Sequence, residues 1–493
     1  MASPFPLGEK ITESPVPLCL EPASAVETAG IARFEHAVTA CEMVADCVAV
    51  MLSTVFSYAL YRSLSLGKHL QYGAREHVAA VVAFAIFFVL MLDRAGAYHR
   101  GNSLLRVKET ERVLRTSALS FMLIFPVTFF AKFYFSRWLL VIGLVTVPFV
   151  VSMEKHAFYL FVRMLHARGY GVKKVVIYGA GPTGRRVFSA LVRSPKLGLN
   201  PIAFVDDDKA RLTALVFELG YQNRRSAPVL QGPPSRQLLQ RCGATHLVIA
   251  IPSLSPDNFL KVVPEAFAAG AKVSFVPSNS VPGEASVDHA DIDGLLLSSM
   301  GKNDSQRPGY EFLKRVLDAS LAMLLLVLLA PLLIVIAVFV RHDSEGPALF
   351  VQQRVGRNGR LFNLYKFRTM FVESHAYAYS PKDSCDVRVT RVGKFLRRTS
   401  LDELPQLLNV LKGEMSLVGP RPEMQFIVDS YTPSARQRLE VKPGVTGLWQ
   451  LSADRAYLIH ENIEYDLYYI KNRSFFMDVA ILVHTIFFCM RGV

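Results

Sequence analysis

Apolar residues are concentrated in a few long runs of this chain. Four uncharged runs lie in its first third, and each is slightly shorter than the roughly 17–25 residues of a membrane-spanning helix. Flanking apolar and aromatic residues lengthen all four, and short polar loops separate them. The pattern therefore predicts a four-helix transmembrane domain over residues 37–165. The runs cover residues 47–61, 77–92, 116–131 and 138–153.

The segments that flank these runs predict their orientation. Residues 1–36 contain no basic region followed by an apolar run, which argues against a signal peptide and predicts a disordered cytosolic tail. The loop between the second and third runs is rich in Lys and Arg, which collect in cytoplasmic loops. With four crossings, the tail and the chain after about residue 155 then both face the cytosol. The basic residues of this loop are Arg94, Arg100, Arg106, Lys108, Arg112 and Arg115.

Short β-branched segments alternate with helical segments over residues 170–292, which predicts an α/β Rossmann-like domain. A GxGxxG turn follows the first strand and precedes a helix, the context in which this motif binds phosphate. An acid ends the second strand, where a ribose-binding carboxylate would lie. One interpretation is nucleotide or nucleotide-sugar binding, and the other is a domain that only packs or regulates. The residues are Gly179, Gly181, Gly184 and Asp206.

The longest apolar run covers residues 321–340 and carries Pro331 at its centre. At ~1.5 Å per residue the run would just cross a ~30 Å hydrocarbon core. Pro331 removes a backbone donor and favours a break into two halves. Lys and Arg flank both ends of the run, so both ends are predicted to face the cytosol. We therefore expect a re-entrant helix hairpin over residues 314–341, with a complete span as the alternative.

Composition supports a membrane protein with cytosolic domains. Hydrophobic residues make up 51% of the 493 residues and charged residues only 19%, with a mean hydropathy of +0.28. This balance disfavours both a disordered chain and a purely soluble enzyme. The six cysteines contain no CxxC pair, which argues against a zinc site and a disulfide framework. The net charge is +14, and nothing in the sequence indicates nucleic-acid binding.

Three ordered motifs follow the longest run: YKFRTM at 365–370, SLDELPQLLNVLKGEMSLVGPRP at 400–422 and KPGVTGLWQ at 442–450. They resemble the bacterial polyprenyl-phosphate hexose-1-phosphate transferases, which start cell-surface polysaccharides such as exopolysaccharide or O-antigen. The resemblance covers residues 310–493 closely. The four apolar runs and the Rossmann-like domain are similar to the long form of this family. The resemblance implies a mixed α/β, membrane-associated catalytic domain over 310–493, joined to the Rossmann-like domain by a linker over 293–309.

The resemblance also implies a reaction. In this family hexose-1-phosphate moves from a UDP-sugar to undecaprenyl phosphate in the bacterial inner membrane, UMP is released, and Mg²⁺ is required. Glucose is our first expectation for the hexose and galactose the second. The catalytic Asp–Glu pair of the family aligns on Asp402 and Glu403, which would also be the metal ligands. Membrane lipids are the expected surroundings, and the sequence leaves the oligomeric state open, a homo-oligomer included.

The residues alone leave the role of this pair open. Ser400 and Glu403 match a capping box, so both acids are also explained as helix capping. Pro405 is tolerated only in the first turn of a helix, which favours a start near Leu404 with both acids in the preceding bend. In either register the carboxylates lie at a helix N-terminus and are expected to stay ionised.

Four basic residues are predicted to bind the substrate phosphates: Lys366, Arg368, Arg397 and Arg421. Lys366 and Arg368 are two residues apart in an extended stretch and should project from one face. Arg421 lies between two prolines in a stiff loop. For any one of them alone, solvated surface or contact with anionic lipid is the alternative. Asp402 would attack the β-phosphorus, or the lipid phosphate would attack directly in a ternary complex.

Two other functions are compatible with parts of the sequence. One is a membrane-anchored, NAD-dependent nucleotide-sugar oxidoreductase or epimerase, which would require a YxxxK pair on a soluble helix. Tyr170 with Lys174 precedes the glycine turn, and Tyr310 with Lys314 runs into the apolar segment, so we interpret both matches as coincidence. The other is a non-catalytic assembly scaffold. The stretch 475–490 is apolar but contains an acid, which predicts an interfacial helix.

Overall fold

The computed structural model describes most of the chain. It divides into one compact unit over residues 1–48 and 153–281 and a second over 49–152 and 282–493. The described residues are 25–65, 74–98, 106–130, 136–193, 198–208, 216–219, 224–276, 285–292, 295–302, 308–372, 386–451 and 463–491.

Long apolar helices dominate the first third of the chain. Within the described residues, four helical stretches are long and apolar enough to cross a membrane: Arg33–Ser63, Arg75–Arg94, Trp138–His166 and Gly309–Asp343. The first three correspond to the first, second and fourth predicted runs. The N-terminal helices are α1 (Ala25–Ser63), α2 (Ala74–Arg94), α3 (Arg106–Phe130) and α4 (Arg137–Ala167).

Helix α1 corrects one predicted boundary. It begins at Ala25, inside the range that we expected to be a disordered tail. Contacts within the first unit explain the extension, because Glu35 forms a 2.5 Å ion pair with Lys173. Further along the same face, Lys155 of α4 contacts Glu42 at 2.8 Å and Asp46 at 2.6 Å. The start of α1 is therefore held by partners that are distant in sequence.

The first unit contains the predicted Rossmann-like domain. Its five-stranded parallel sheet consists of β1 (Lys173–Tyr178), β2 (Leu199–Asp206), β5 (Val229–Gln231), β6 (His246–Ile249) and β7 (Lys272–Phe275). The strand order β5-β2-β1-β6-β7 reverses direction at β1, as in doubly wound dinucleotide-binding folds. The helices of this unit are α5 (Pro182–Arg193), α6 (Arg236–Arg241) and α7 (Pro256–Ala268), and β3 (Val216–Leu219) with β4 (Arg224–Ala227) forms an antiparallel pair.

The predicted linker over 293–309 is wrong in part, because residues 295–302 form a strand. That strand, β9 (Leu295–Lys302), pairs antiparallel with β8 (Ala285–Ile292) in a two-stranded hairpin. Neither strand joins the parallel sheet, whose last strand is β7. Asp293 and Gly294 between the two strands form a typical hairpin sequence, and this was the signal for the missed hairpin.

The region expected to be catalytic, over residues 308–491, is a mixed α/β fold built around one helix and two small sheets. Helix α8 (Pro308–Asp343) precedes the antiparallel pair β10 (Leu349–Val355) and β11 (Leu361–Phe367). A parallel pair, β12 (Ser416–Val418) and β13 (Gly444–Thr446), lies in its core. The remaining helices are α9 (Arg391–Thr399), α10 (Leu407–Lys412), α11 (Gln425–Asp429), α12 (Pro433–Arg436), α13 (Leu448–Leu451), α14 (Glu464–Asn472) and α15 (Phe475–Arg491).

Both halves of α8 pack against the rest of this region. Near its start, the Arg315 guanidinium donates to the carbonyls of Val410 at 2.6 Å and Leu411 at 2.8 Å. Near its end, Ile336 and Val340 share a buried cluster with Phe367 and Leu396. The predicted division into two separate helices is not seen, because α8 runs from Pro308 to Asp343 with Pro331 inside it.

The third predicted span is the apolar part of α3, which begins with charged turns. Only residues 116–130 are uncharged, and they would extend ~22 Å, less than the ~30 Å hydrocarbon core. The charged turns of α3 pack against α15 instead. Glu111 accepts a hydrogen bond from Ser474 at 3.0 Å, and Thr110 contacts His484 at 2.9 Å. The first turns of α3 are thus part of the second unit's core.

The interfacial helix predicted for residues 475–490 is also a core helix. Met477, Ala480 and Ile481 of α15 are fully buried. They share one hydrophobic cluster with Val107 of α3 and Val410 of α10. The sequence did not reveal this because an apolar face has the same composition whether lipid or protein covers it.

Candidate functional site

A tight turn between α9 and α10 carries the two acids of the predicted site. Ser400 has a left-handed backbone with φ of +57° and ends α9. A 3₁₀ turn over Leu401–Gln406 follows and contains Asp402, Glu403 and Pro405. The Ser400 side chain makes no capping hydrogen bond to this turn, so the capping-box interpretation is wrong. Both acids precede α10, close to the second register expected from Pro405.

Glu403 joins two cations. One of its carboxylate oxygens, Oε1, accepts from Lys366 Nζ at 2.8 Å and from Arg421 Nη2 at 3.1 Å. Burial by itself would raise the pKa of Glu403, but Lys366 and Arg421 outweigh it and lower that pKa to about 2. Glu403 is therefore a carboxylate at every physiological pH and fixes the position of both cations.

Asp402 lies beside this cluster in a different state. Across the described residues, its carboxylate accepts no hydrogen bond. Burial raises the pKa of Asp402, Lys366 lowers it, and neighbouring Glu403 raises it. The net shift of the Asp402 pKa is upward, because burial outweighs the neighbouring cations. A carboxylate that is desolvated and not held by a donor is more reactive as a nucleophile.

Three of the four predicted phosphate-binding residues converge on the two acids. Lys366 and Arg421 contact Glu403 directly, and the Arg421 side chain remains 34% exposed and open to a ligand. Arg397 donates to Thr369 Oγ1 at 2.9 Å, and its charge lowers the pKa of Asp402. The site thus combines three cations with one engaged and one unengaged carboxylate.

Arg368 does not join them, so the expectation that it shares a target with Lys366 is wrong. Its guanidinium is buried and donates to the carbonyls of Val340, Ser344 and Glu345 at the end of α8. A helix leaves its last carbonyls without backbone partners, and a buried guanidinium satisfies several of them at once. We assign Arg368 to capping α8. Alternation in β11 had suggested one face, but the strand ends at Phe367.

A fourth cation near the site, Arg354, was not predicted from the sequence. It lies on β10, where Gln352 Oε1 accepts from its Nε at 3.1 Å and its Nη2 at 2.7 Å. Its Nη1 also lies 3.8 Å from a Glu423 carboxylate oxygen. Burial and the neighbouring Arg421 lower the pKa of Arg354 to about 10. The signal in the sequence was weak, because Arg354 lies more than ten residues before the first motif.

Glycines of the second and third motifs allow two backbone segments to touch behind Arg421. A Cβ on Gly444 would lie 2.1 Å from the Gly419 nitrogen, and one on Gly447 would lie 2.4 Å from the Gly419 oxygen. The parallel pairing of β12 and β13 creates this close approach. The motif containing Gly444 and Gly447 is therefore needed to place the loop that carries Arg421.

A buried arginine, Arg438, supports the loop that carries Arg421. Arg438 Nη2 donates to the Arg421 carbonyl at 3.2 Å, and Arg438 Nε donates to Asp466 at 2.8 Å. A third donor of Arg438 contacts the Tyr431 hydroxyl. Arg438 and Asp466 are 3% and 2% exposed, so their charges depend on each other. This pair was not recognised from the sequence, since its members are distant and carry no motif.

We expect Asp466→Asn to destabilise the catalytic region by about 3–5 kcal/mol, because it leaves the Arg438 charge buried without its partner. The kcat/KM should also fall, since Arg438 would no longer hold the Arg421 carbonyl in place. Denaturant unfolding and initial rates of the full chain measure the two effects.

Arg473→Met is the matched control for this prediction. Arg473 is similarly buried and pairs with Glu311 at 3.0 Å, on a part of the domain that does not support Arg421. It should cost less stability, because Glu311 is partly exposed and keeps its ion pair with Arg357 at 2.8 Å, and it should leave kcat/KM of the folded fraction near wild type. Equal losses of kcat/KM in the two variants would contradict a specific role for Arg438.

The YxxxK match at Tyr310 and Lys314 has a structural role. The Tyr310 hydroxyl and Lys314 Nζ both donate to Asp478 Oδ2, at 2.7 Å and 2.9 Å. Tyr469 donates to the other oxygen of Asp478 at 2.7 Å. The cluster fastens α8 and α14 to α15. Because Asp478 engages both Tyr310 and Lys314, these contacts oppose a role for the pair in catalysis.

The glycine turn of the Rossmann-like domain is tightly packed. A Cβ on Gly184 would lie 1.8 Å from the Gly179 oxygen, and Gly179 has a φ of +107° that favours glycine. Gly181 is the residue of the turn just before α5. Asp206 accepts from the Ala180 amide at 2.7 Å and from the Asp208 amide at 2.9 Å. The Asp206 carboxylate is buried and holds the turn itself, which favours the packing interpretation over ribose binding.

Two family models match this chain. Residues 309–492 match the bacterial sugar transferase model, and residues 93–229 match a CoA-binding domain model. The first match covers the whole region that contains Asp402 and the surrounding cations.

Curated relatives extend the likeness across most of the chain. The undecaprenyl-phosphate galactose phosphotransferase of Salmonella typhimurium is 33% identical over 76% of this chain and 80% of its own length. The UDP-glucose:undecaprenyl-phosphate glucose-1-phosphate transferase of Xanthomonas campestris pv. campestris is 31% identical over 66% and 68%. A UDP-N-acetylgalactosamine-undecaprenyl-phosphate N-acetylgalactosaminephosphotransferase of Aeromonas hydrophila is 38% identical over 45% and 54%. The site, the family match and these relatives agree, and the chain belongs to the bacterial sugar transferase family.

Proposed function

We propose that this protein transfers hexose-1-phosphate from a UDP-sugar to undecaprenyl phosphate and releases UMP. The observation that carries the proposal is the unengaged Asp402 carboxylate beside Glu403, Lys366, Arg397 and Arg421. A diphosphate is the substrate group that needs several cations and one nucleophile in the same pocket. The relatives named above act on UDP-sugars or undecaprenyl phosphate according to their names.

In the first step, an oxygen of Asp402 forms a bond to the β-phosphorus of the UDP-sugar. The bond between that phosphorus and the bridging oxygen breaks, and UMP leaves with the bridging oxygen and its electron pair. In the second step, an oxygen of undecaprenyl phosphate attacks the same phosphorus and releases Asp402. Lys366, Arg397 and Arg421 stabilise the charge that develops on the phosphoryl oxygens in both steps.

We also propose that Asp402 and Glu403 would hold a Mg²⁺ ion when the substrate diphosphate is bound. Across the described residues, no group of three His, Cys, Asp or Glu side chains is placed to hold a metal. Two adjacent carboxylates nevertheless fit Mg²⁺, which typically uses one or two carboxylates together with substrate phosphates. When bound, the ion would neutralise charge on the diphosphate. Chelation should therefore abolish turnover, and added Mg²⁺ should restore it.

We infer that α8 enters the inner membrane, bends at Pro331 and returns to the cytosolic side as one bent re-entrant helix, without a break into two separate helices. A single crossing would carry one end of α8 across ~30 Å of hydrocarbon, away from the domain that holds the other end. Arg315 near the start and Val340 near the end both contact that domain. Pro331 between them is the residue at which a helix bends most readily. This arrangement supports a catalytic site at the cytosolic membrane surface, within reach of a lipid-linked phosphate.

The relatives do not agree on one hexose, since their names include galactose, glucose and N-acetylgalactosamine. The full chain in lipid nanodiscs should be supplied with undecaprenyl phosphate, Mg²⁺ and each radiolabelled UDP-sugar in turn. We expect one sugar to give UMP and lipid-extractable label in equal amounts, with UDP-glucose tested first and UDP-galactose second. Label that stays in the aqueous phase with every sugar would overturn the proposal.

A further inference from the structure

Helix α9 separates two environments. One face seats on the catalytic region: Leu396 is buried against Ile336 and Val340 of α8, and a Cβ on Gly393 would lie 2.2 Å from the Thr369 oxygen. The Val392 amide also donates to Asp343 at 2.9 Å. These contacts fix the orientation of α9 in this structure, so that its opposite face is exposed.

That outward face has an unusual composition. Arg391, Lys394, Phe395 and Arg398 are all exposed, and their spacing of three, one and three residues places them on one side of the helix. We call these four residues the basic face. Helix α9 contains no acidic residue. Phe395 is 61% exposed between the cations. Exposing a phenyl ring to water is unfavourable, and so is placing three cations close together.

The segments beside the basic face are also apolar and exposed. Val387 is 89% exposed and Val372 is 64% exposed. The Phe371 amide donates to the Arg388 carbonyl at 3.0 Å, so the segment containing Val372 lies beside the segment that leads into α9. Among the described residues of these two segments Asp386 is the acid, and Arg388 pairs with it at 2.8 Å. In the described residues, the basic face and the segments beside it therefore combine apolar area with an excess of positive charge.

We propose that the basic face binds anionic phospholipid headgroups of the bilayer that contains α8. Cations flanking an aromatic ring are typical of helices that lie in the interface of anionic membranes. Helix α9 packs on the last turns of α8 through Leu396, Ile336 and Val340. Val338 and Phe339 of the same turns are exposed. The basic face thus meets the headgroups where α8 leaves the hydrocarbon.

The contact has a consequence for the site. Arg397 lies on the same helix, donates to Thr369 and acts on Asp402. Headgroups that hold Arg391, Lys394 and Arg398 would therefore fix the depth at which Arg397 and the acids meet the bilayer. Lipid binding by the basic face is measured separately from the proposed reaction.

The experiment compares the full chain with the variant R391Q/K394Q/R398Q. Each is purified in mixed micelles of phosphatidylglycerol and phosphatidylcholine, and the lipid retained per protein is quantified. We expect the preference for phosphatidylglycerol to fall at least roughly tenfold in the variant, because each cation near an anionic surface contributes independently. The matched control is R236Q/R241Q/K261Q, which removes the same charge from exposed positions of the Rossmann-like domain and should retain the preference.

A second variant separates charge from packing. R391K/R398K keeps both charges and should bind phosphatidylglycerol like wild type, with thermal unfolding measured for all four proteins. UMP release in nanodiscs with and without phosphatidylglycerol provides the functional readout, in which R391Q/K394Q/R398Q should lose the stimulation by that lipid. A folded R391Q/K394Q/R398Q protein that keeps the wild-type preference would overturn the inference, as would a wild type without any preference. Loss of all UMP release in wild type would instead count against the proposed reaction.

Discussion

Asp402→Asn is expected to lower kcat by about 10³-fold or more and to abolish covalent labelling of the protein. The amide has nearly the same shape as the carboxylate but cannot attack phosphorus, so the loss reflects the nucleophile rather than packing. The measurement uses a UDP-sugar labelled at the β-phosphate, without undecaprenyl phosphate. Wild type should release UMP once per active site and retain the label, and Asp402→Asn should do neither.

Two further variants make this result specific. Glu403→Gln should be slower than wild type but still acquire the label, because Lys366 and Arg421 lose their common carboxylate while Asp402 remains. Asp429→Asn changes an exposed acid at the end of α11 and should be unaffected. UMP release by Asp402→Asn at the wild-type rate would refute Asp402 as the nucleophile. Acceptor-dependent UMP release without labelling in wild type would favour direct attack in a ternary complex.

Lys366→Met is expected to lower kcat/KM by about 10²–10³-fold and to move its acid limb to higher pH. The rate falls because one cation no longer stabilises charge on the phosphoryl group. The limb moves because Asp402 must be ionised to attack. Burial already raises its pKa, and Lys366 lowers it. Without Lys366, activity is therefore lost at a higher pH as the solution is acidified.

The control for the acid limb is Lys412→Met. Lys412 is exposed and contacts the Tyr365 hydroxyl at 2.7 Å, one residue before Lys366 on β11. Its removal should change neither the rate nor the pH at which activity is lost. If Lys366→Met reduces kcat/KM and leaves the acid limb unchanged, the limb reports a group other than Asp402.

Local patterns were sufficient for the elements with a strong signal. Three of the four predicted spans correspond to long apolar helices. A long run of apolar residues must be shielded from water, and a membrane-spanning helix does this for the whole run. The glycine turn and the alternating strands predicted the parallel sheet, since each βα unit is specified by adjacent residues. The motifs around Asp402, Lys366 and Arg421 predicted which chemical groups converge. Each of these signals lies within a short stretch of chain.

Predictions from local sequence patterns were wrong or incomplete for three residues of the site region. Arg368 and Lys366 look equivalent in an extended segment, but the carbonyls at the end of α8 attract only Arg368. The sequence suggests that Ser400 caps the N-terminus of the following helix, but its left-handed backbone places it at the C-terminal end of α9. Arg354 was not among the predicted site residues, and the hairpin of β10 and β11 places it near Arg421. For Arg368 and Arg354 the deciding partner is distant in sequence, whereas for Ser400 it is the conformation of its own backbone.

The sequence by itself determined the helices of the first third, the Rossmann-like sheet and the identity of the acids and most of the cations. Only the tertiary structure decided that Glu403 is engaged and Asp402 is not, that Arg438 supports the Arg421 loop, and that α3 packs against α15. The physical reason is that secondary structure and motif chemistry depend on neighbours along the chain. Desolvation, ion pairing and the pKa of a carboxylate depend on whichever groups folding places around it.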